Sequence, residues 1–335
     1  MLRFLHRKLI KNRVPAKDSK TLVFSPQNHL PTLQSISNLS HSTLQSSLTL
    51  SYLEKIMWVV SRVSSFCFQK GAALAVLLSS YPTVLCLHLK NRIIPSVDFL
   101  KNIVHTNENV LLSIKRWPRI LNYNIQTKMN PNLSILKDQG VPESNIVKLI
   151  TTSPRALVHI PERFRETVEI VKEIGFNPVT LNFILAVRVV AGLSKLNWER
   201  KIELYKSLGW SGDEVLSAFR KQPLCMITSE KKIKRVVSFF VDELGWKPSA
   251  VSKYPNILLL SIDKRIVPRC SVVCLLMSEG LVKKDLRIYS VLQLNENSFY
   301  EKFVSKFQER VPKVLKAYEG KMEVGWEKEG QNYNS

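Results

Sequence analysis

Five of the eleven glycines in this chain recur at a nearly constant interval. They are Gly140, Gly175, Gly209, Gly245 and Gly280, separated by 35, 34, 36 and 35 residues. Prolines mark the same period, and this second series consists of Pro82, Pro118, Pro154, Pro223 and Pro255, with one repeat left without a proline. Self-similarity at a fixed period in this range is the sequence signature of a repeat architecture. The chain is therefore predicted to stack repeats of about 35 residues.

Apolar residues stand at fixed offsets from both series. Three residues after the prolines are Leu85, Leu121, Leu157, Met226 and Leu258, and four residues before them are Leu78, Ile114, Ile150, Phe219 and Val251. Four residues before the glycines are Leu136, Val171, Tyr205, Val241 and Leu276, and six residues after them are Ile146, Leu181, Val215, Val251 and Leu286. Apolar residues that recur in register with a helical period indicate buried helix faces.

Each repeat is predicted to contain two helices and a short turn. A glycine just past a helix end supplies the left-handed cap, and a proline prevents the second helix from continuing. The apolar segment after each proline is short enough for a single 3₁₀ turn. Ten residues separate Gly245 from Pro255, whereas fourteen separate Gly140 from Pro154. Because a deletion of four residues removes about one helical turn, the buried face stays in phase. The predicted fold class is all-α, an α-solenoid of ~35-residue repeats.

The predicted solenoid covers residues 51–320 and needs modified ends. Residues 51–70 are interpreted as a degenerate first repeat. Residues 298–319 are expected to form a longer amphipathic helix that caps the array and is interrupted at Pro312, and residues 321–335 to form a disordered tail. The most apolar run, near residues 71–78, is far shorter than the ~20 residues that a transmembrane helix needs.

The N-terminus has the composition of a targeting segment. The first residues, MLRFLHRKLIKNR, interleave basic and apolar side chains, the next stretch is rich in Ser and Thr, and Asp18 is the only acid before Glu54. This pattern predicts an organelle transit peptide within residues 1–50. A disordered basic arm that contacts nucleic acid is the alternative.

The charge of the chain indicates a polyanionic partner. There are 49 Lys and Arg against 27 Asp and Glu, a formal net charge of +22. Residues 1–50 contain only seven of the basic residues and one of the acidic ones, so the remainder keeps 42 against 26. Nucleic acid is the first candidate for the partner, and an anionic membrane surface is the second.

Signatures of enzymes and metal sites are absent from the sequence. The five cysteines form no C-x-x-C pair, and they are Cys67, Cys86, Cys225, Cys270 and Cys274. They are expected to be buried reduced thiols. Phosphate-binding loops, H-E-x-x-H and G-x-S-x-G are also missing. We therefore expect no cofactor, no metal and no catalytic activity.

Basic residues recur nine or ten positions after each proline, and they are Arg92, Lys128, Arg163, Lys232 and Arg265. Equivalent positions of a solenoid face the same way, so these side chains are predicted to form a ladder that tracks phosphates. Ordinary solvated side chains are the alternative, but a cation near a helix start opposes the helix dipole. A second basic set precedes the prolines, where the dipole favours cations anyway, and consists of Lys115, Arg116, Arg220, Lys221 and Lys253.

Further contacts with nucleic acid are possible beside the prolines and at tryptophans. Arg119 and Arg155, one residue after their prolines, are similar candidates. Four tryptophans could stack on bases, but their positions in the repeats favour core packing, and they are Trp117, Trp198, Trp210 and Trp246.

The repeat motif resembles that of the mTERF (mitochondrial transcription termination factor) family. Its order is Pro-x-x-Leu, a helix, Leu-Gly-Trp or its equivalent, a second helix and the next Pro. Several stretches are similar to its plant branch, among them WERK at 198–201, LGWS at 208–211, AFRKQPLCM at 218–226, SEKKI at 229–233 and KRIVPRCS at 264–271. The resemblance covers residues ~71 to ~320, and residues 20–65 do not supply the further repeats that family members commonly show.

The resemblance implies a superhelix whose basic concave groove binds double-stranded DNA or structured RNA in mitochondria or plastids. We expect the protein to be monomeric. Such a protein acts in transcription and its termination, in intron splicing or on ribosomal RNA. The leucine- and arginine-rich start favours the mitochondrion over the chloroplast. The alternative function is a helical-repeat scaffold that binds proteins without contacting nucleic acid, but a scaffold has no reason to keep a ladder of one charge through five repeats.

Overall fold

The computed structural model describes residues 81–321, apart from residues 82, 85, 86 and 284. The predicted transit peptide, the degenerate first repeat, the C-terminal tail beyond residue 321 and the marks Leu78, Pro82 and Leu85 lie outside the described residues, as do Cys67 and Cys86. Every regular element within the described part is a helix. The all-α prediction is thereby confirmed.

The α-helices follow one another at short intervals. In chain order they are α1 (Ile94–Val104), α2 (Asn107–Arg116), α3 (Ile125–Asp138), α4 (Glu143–Thr152), α5 (Pro161–Glu173), α6 (Leu181–Gly192), α7 (Lys195–Ser207), α8 (Gly212–Lys221), α9 (Glu230–Ser238), α10 (Pro248–Lys253), α11 (Val267–Ser278), α12 (Ile288–Gln293), α13 (Glu296–Phe299) and α14 (Lys313–Tyr318). The 3₁₀ helices are Pro118–Asn122, Pro154–Val158, Pro223–Ile227 and Pro255–Leu259. The π-helices are Leu89–Ile93, Phe239–Glu243, Ile262–Ile266 and Tyr300–Ser305.

The described residues group into two lobes by their contacts. The N-terminal lobe contains residues 81–170 and 178–184, and the C-terminal lobe contains residues 171–177 and 185–321. Both lobes use the same packing. The second helix of one repeat packs on the second helix of the next, α2 on α4 and α8 on α10. The first helix packs on the 3₁₀ helix of the following repeat, α3 on Pro154–Val158 and α9 on Pro255–Leu259.

The five periodic glycines adopt the left-handed conformation that the sequence predicted, with φ of 75°, 102°, 86°, 67° and 66° in chain order. Gly140 shows the hydrogen bonds of this cap. Its N–H donates to Lys137 O at 2.9 Å, and the N–H of Val141 donates to Leu136 O at 3.1 Å. These two bonds satisfy carbonyls that the end of α3 would otherwise leave unpaired.

Substitution of two of these glycines should have unequal effects. A Cβ at Gly140 would meet nothing within 4 Å, whereas a Cβ at Gly209 would lie 3.1 Å from both Cβ and Cγ of Pro248. We expect Gly140→Ala to lower the free energy of unfolding by about 1–2 kcal/mol, the cost of the left-handed conformation alone. Gly209→Ala should cost more, because Pro248 at the start of α10 must also shift. Urea denaturation of both variants measures the difference, and equal losses would show that the proline contact has no energetic weight.

The four periodic prolines that the structure describes, Pro118, Pro154, Pro223 and Pro255, each begin a 3₁₀ helix, which confirms the predicted short turn. The apolar residues three positions later are at most 1% exposed, and they are Leu121, Leu157, Met226 and Leu258. The predicted loss of one turn is also confirmed. Helices α4 and α8 each have ten residues, while α10 has six, and Val251 within it is fully buried.

Two residues that were predicted to be buried from their distance to a glycine are not buried. Val241 is only half-buried, because the π-helix Phe239–Glu243 adds a residue before Gly245. Phe240 is buried in its place, and Trp246 N–H donates to Phe240 O at 2.8 Å. Leu181 is 44% exposed, because this repeat inserts a turn after Gly175 and begins α6 only at Leu181 itself.

The predicted capping helix corresponds to α13, the π-helix Tyr300–Ser305 and α14, with the interruption at Pro312 where it was expected. Phe299, Phe303, Val304 and Val314 of this segment pack on α11 in one apolar cluster. Leu286 is half-buried at the edge of that cluster rather than fully buried as predicted.

Candidate nucleic-acid interface

The predicted ladder separates into two kinds of side chain. Lys128 and Arg163 lie near the starts of α3 and α5 and are exposed. Neither forms a side-chain hydrogen bond or ion pair within the described residues. Arg92 is exposed as well, but it lies in the π-helix Leu89–Ile93 rather than in an α-helix. These three cations are available to a ligand.

The other two members of the ladder are half-buried and bind the next repeat. Lys232 Nζ donates to Leu259 O at 2.7 Å. Arg265 Nε donates to Leu292 O at 3.1 Å, and its terminal nitrogen donates to Leu294 O. Burial lowers the pKa of Lys232 and the pKa of Arg265. Part of their role is therefore structural.

These bonds belong to a recurring link between repeats. In four places a side chain donates to a backbone carbonyl 27 residues later, and the pairs are Asn132 to His159 (2.7 Å), Lys201 to Thr228 (2.6 Å), Lys232 to Leu259 (2.7 Å) and Arg265 to Leu292 (3.1 Å). We call these four side chains the staple residues. Three of the acceptors lie at the C-terminal end of a 3₁₀ helix, where carbonyls lack helical partners and the dipole attracts donors.

Asn132 and Lys201 were not predicted as linking residues, because neither stands at a fixed distance from the periodic prolines and both look like ordinary polar helix residues. The structure buries both, with Asn132 fully enclosed and Lys201 only 8% exposed. Burial lowers the pKa of Lys201, and the nearby carboxylate of Glu230 opposes that shift. The signal that could have identified them is a polar residue in an otherwise apolar core register.

Removal of one staple tests its contribution to stability. Lys201→Met keeps most of the apolar stem and deletes the ammonium, so the carbonyl of Thr228 loses its partner. We expect the free energy of unfolding to fall by about 1–3 kcal/mol. Lys206→Met, on the same helix α7, breaks only an exposed ion pair with Glu203 and should change stability far less. Equal urea midpoints for the two variants would contradict a structural role for Lys201.

The basic residues that precede the prolines also connect repeats. Arg116 Nε donates to Thr152 O at 2.8 Å, and Lys221 Nζ donates to Lys253 O at 3.2 Å. Both donors and both acceptors stand two residues before a proline, so the same contact recurs in each lobe. Arg220 Nε donates to Ile174 O at 2.8 Å. The helix C-terminal carbonyls explain why cations are favoured here without a ligand.

The remaining candidates are exposed. Arg119 and Arg155 are the second residues of their 3₁₀ helices, and both side chains face solvent without a partner within the described residues. Lys115 and Lys253 are exposed on the last turns of α2 and α10.

The core assignment of the tryptophans is confirmed at three of four positions. Trp198, Trp210 and Trp246 are at most 5% exposed. Trp117 differs, since it is half-buried and its ring centroid lies 5.1 Å from that of Tyr123. Only this tryptophan of the four presents part of its ring to a ligand.

The cysteines in the described part are free thiols. Cys225 and Cys270 are buried and Cys274 is half-buried. Burial raises the pKa of Cys225 to about 12 and that of Cys274 to about 11, so neither is an activated nucleophile at neutral pH. No group of three or more His, Cys, Asp or Glu side chains within residues 81–321 is arranged to hold a metal ion. No helix of the described part has both the length and the apolar character to cross a bilayer.

Comparison with known proteins assigns this architecture to a family. The mTERF family model matches residues 48–189 and again residues 186–300. The chain belongs to the mTERF family. The two matches of this mTERF protein meet in α6, the helix of the repeat that lacks the proline.

Two curated relatives of this mTERF chain come from Arabidopsis thaliana. The chain is 23% identical over 174 residues to the chloroplastic transcription termination factor MTERF8, a match of 52% of the chain and 35% of the relative. It is 21% identical over 236 residues to the mitochondrial transcription termination factor MTERF15, a match of 70% of the chain and 52% of the relative. The chain thus spans about a third and about half of the lengths of these relatives.

Proposed function

We propose that this mTERF protein binds nucleic acid inside an organelle and acts on transcription or its termination, or on processing of the transcript. The observation that carries the proposal is a set of exposed cations at repeat-equivalent positions of the N-terminal lobe. They are Arg119, Lys128, Arg155 and Arg163, and we call them the open cations.

Their positions are not explained by the stability of the fold. Lys128 and Arg163 lie near helix starts, where the dipole disfavours a positive charge by a few tenths of a kcal/mol. The open cations also lack bonds to other described side chains. Phosphates of a nucleic acid would provide the counter-charge. Each cation that neutralises a phosphate releases condensed counterions, and this release favours binding.

The bound cations take a secondary part in the proposed surface. Arg116, Arg220, Lys221, Lys232 and Arg265 each donate at least one hydrogen bond to a backbone carbonyl. Their charge still adds to the field around the protein, so they contribute to long-range attraction. Arg92 is exposed and is proposed as a further phosphate contact.

The names of the relatives support an organellar role. One is named as chloroplastic and the other as mitochondrial, and both are named as transcription termination factors. We propose the mitochondrion, on the basis of the leucine- and arginine-rich N-terminus, with the chloroplast as the alternative. Double-stranded DNA and structured RNA are both compatible with the open cations, since phosphates are common to them.

A binding assay with the full chain tests the function. Fluorescence anisotropy is measured with a labelled 30-base-pair DNA duplex and with a labelled RNA hairpin, at several salt concentrations. We expect binding to at least one probe that weakens steeply as salt rises. Failure to bind either probe at low salt, together with nuclease-resistant capture of a protein from organelle extract, would favour the protein-binding scaffold instead.

A further inference from the structure

An aromatic pair stands partly exposed on the N-terminal lobe. Trp117 and Tyr123 flank the 3₁₀ helix Pro118–Asn122, and their ring planes are inclined by 38°. Tyr123 is 40% exposed, and Trp117 is half-buried. The pair therefore presents aromatic surface to solvent.

The repeat itself does not require this pair. The corresponding two positions, one before the proline and five after it, carry Ser153 and His159 in the next repeat. Further along the chain they carry Gln222 and Thr228. Tyr81 and Tyr254 stand before the other two prolines, with Leu87 and Leu260 at the second position. The 3₁₀ helix therefore forms without an aromatic pair, and among the five repeats only Tyr123 places a Tyr, Phe or Trp at the second position.

Cations flank the pair in the sequence, in a stretch without acidic residues. No Asp or Glu occurs between Glu108 and Asp138, whereas the same stretch contains Lys115, Arg116, Arg119, Lys128 and Lys137. Lys115 and Arg119 are exposed. Arg116 uses its Nε to bind Thr152 O, and its terminal nitrogens form no hydrogen bond or ion pair within the described residues.

Exposed aromatic faces beside unpaired cations fit one ligand chemistry. A nucleobase that is not paired offers a flat face for stacking, and its phosphates offer charge for the cations. A paired base inside a duplex hides that face in the helical stack. A protein partner would match a purely cationic patch with exposed aromatic rings only if its own surface were acidic.

We propose that Trp117 and Tyr123 form a stacking site for an unpaired nucleobase, with Arg116 and Arg119 holding the adjacent phosphates. The inference rests on the proposed nucleic-acid function and adds a preference to it. This protein binds nucleic acid that contains an unpaired nucleotide more tightly than a fully paired duplex of the same sequence. The shared ligand chemistry is the unpaired nucleotide, whether it comes from DNA or RNA.

Matched probes test the preference. Fluorescence anisotropy with the full chain compares a fully paired duplex, the same duplex with a two-nucleotide bulge, and the bulged duplex with abasic residues in the bulge, each in DNA and in RNA. In at least one of the two nucleic acids we expect about tenfold tighter binding to the bulged probe, the gain from stacking one base. The abasic bulge should lose that gain. Tyr123→Ala should lose it too, while its affinity for the paired duplex stays unchanged, and Tyr123→Phe should keep it.

The outcomes separate this inference from the function on which it rests. Equal affinity of the wild type for paired and bulged probes, with binding retained, overturns the stacking site and leaves the nucleic-acid function standing. A uniform loss for all probes in Tyr123→Ala also overturns it, since stacking acts on unpaired bases only. No binding to any probe overturns both. Because Tyr123 is exposed, its variants should keep the wild-type thermal midpoint, which is measured alongside.

Discussion

Replacement of Arg269 by methionine is expected to lower the free energy of unfolding by about 3–5 kcal/mol, because it removes two charge-assisted hydrogen bonds of about 1.5–3 kcal/mol each. The guanidinium group of Arg269 is 1% exposed on α11. It donates to Leu294 O at 2.6 Å and to Glu296 Oε2 at 2.7 Å, and it lies 4.5 Å from the ring centroid of Phe299. Methionine fills much of the volume but removes the hydrogen bonds that the guanidinium group donates to Leu294 O and Glu296 Oε2.

The network around Arg269 explains why the effect should be large. Glu296 also accepts a hydrogen bond from the hydroxyl of Tyr318 on α14, and this bond is the main reason that the pKa of Glu296 is lowered. One buried cation thus ties α11 to α13, and Glu296 ties α13 to α14. Loss of the cation should loosen the whole cap at once.

A second arginine on the same lobe provides the control. Arg235 pairs with Asp263 at 2.6 Å, but both side chains are about half or more exposed. Arg235→Met should leave the urea midpoint close to that of the wild type, because exposed ion pairs contribute little. Similar midpoints for Arg269→Met and Arg235→Met would show that burial of Arg269 is energetically unimportant.

Replacement of all four open cations by glutamine is expected to weaken nucleic-acid binding by about 100- to 1000-fold at 0.15 M salt. Each phosphate contact contributes about 0.9 to the slope of log affinity against log salt, which corresponds to roughly fivefold in affinity at that concentration. Four such losses multiply. The fold should be unaffected, because these exposed side chains form no hydrogen bond or ion pair within the described residues.

The same lobe offers a matched pair of control cations. Lys137 and Lys148 are exposed but stand outside the register of the open cations. The double variant of Lys128 and Arg163 should weaken binding several-fold more than the double variant of Lys137 and Lys148, measured by anisotropy with the same probe. Equal losses would show that net charge, and not register, determines affinity.

The fold could be predicted from sequence where local chemistry decides it. Gly140 and its counterparts need a left-handed backbone, and Pro118 and its counterparts end one helix and begin a 3₁₀ turn, so both leave marks in the sequence. The π-helix before Gly245 leaves no such mark, because its residues FFVDE include no glycine or proline. The sequence therefore could not show that Phe240, and not Val241, occupies the core.

The candidate site was predictable in register but not in role. The offset from the prolines identified Lys128 and Lys232 equally, since both are basic and both stand near a helix start. Only the structure shows that Lys232 reaches a carbonyl 27 residues later while Lys128 remains exposed. That difference depends on where the next 3₁₀ helix ends, which local sequence does not specify.

The division into open cations and staple residues is tested most directly by the salt dependence of binding. Affinity for one duplex is measured from low to high salt for the wild type, for the glutamine variant of the four open cations, and for Lys201→Met. We expect the slope of log affinity against log salt to fall by about 3–4 in the open-cation variant, from about 0.9 for each of four contacts, and to stay unchanged in the staple variant. An unchanged slope in a folded open-cation variant would contradict the proposed interface.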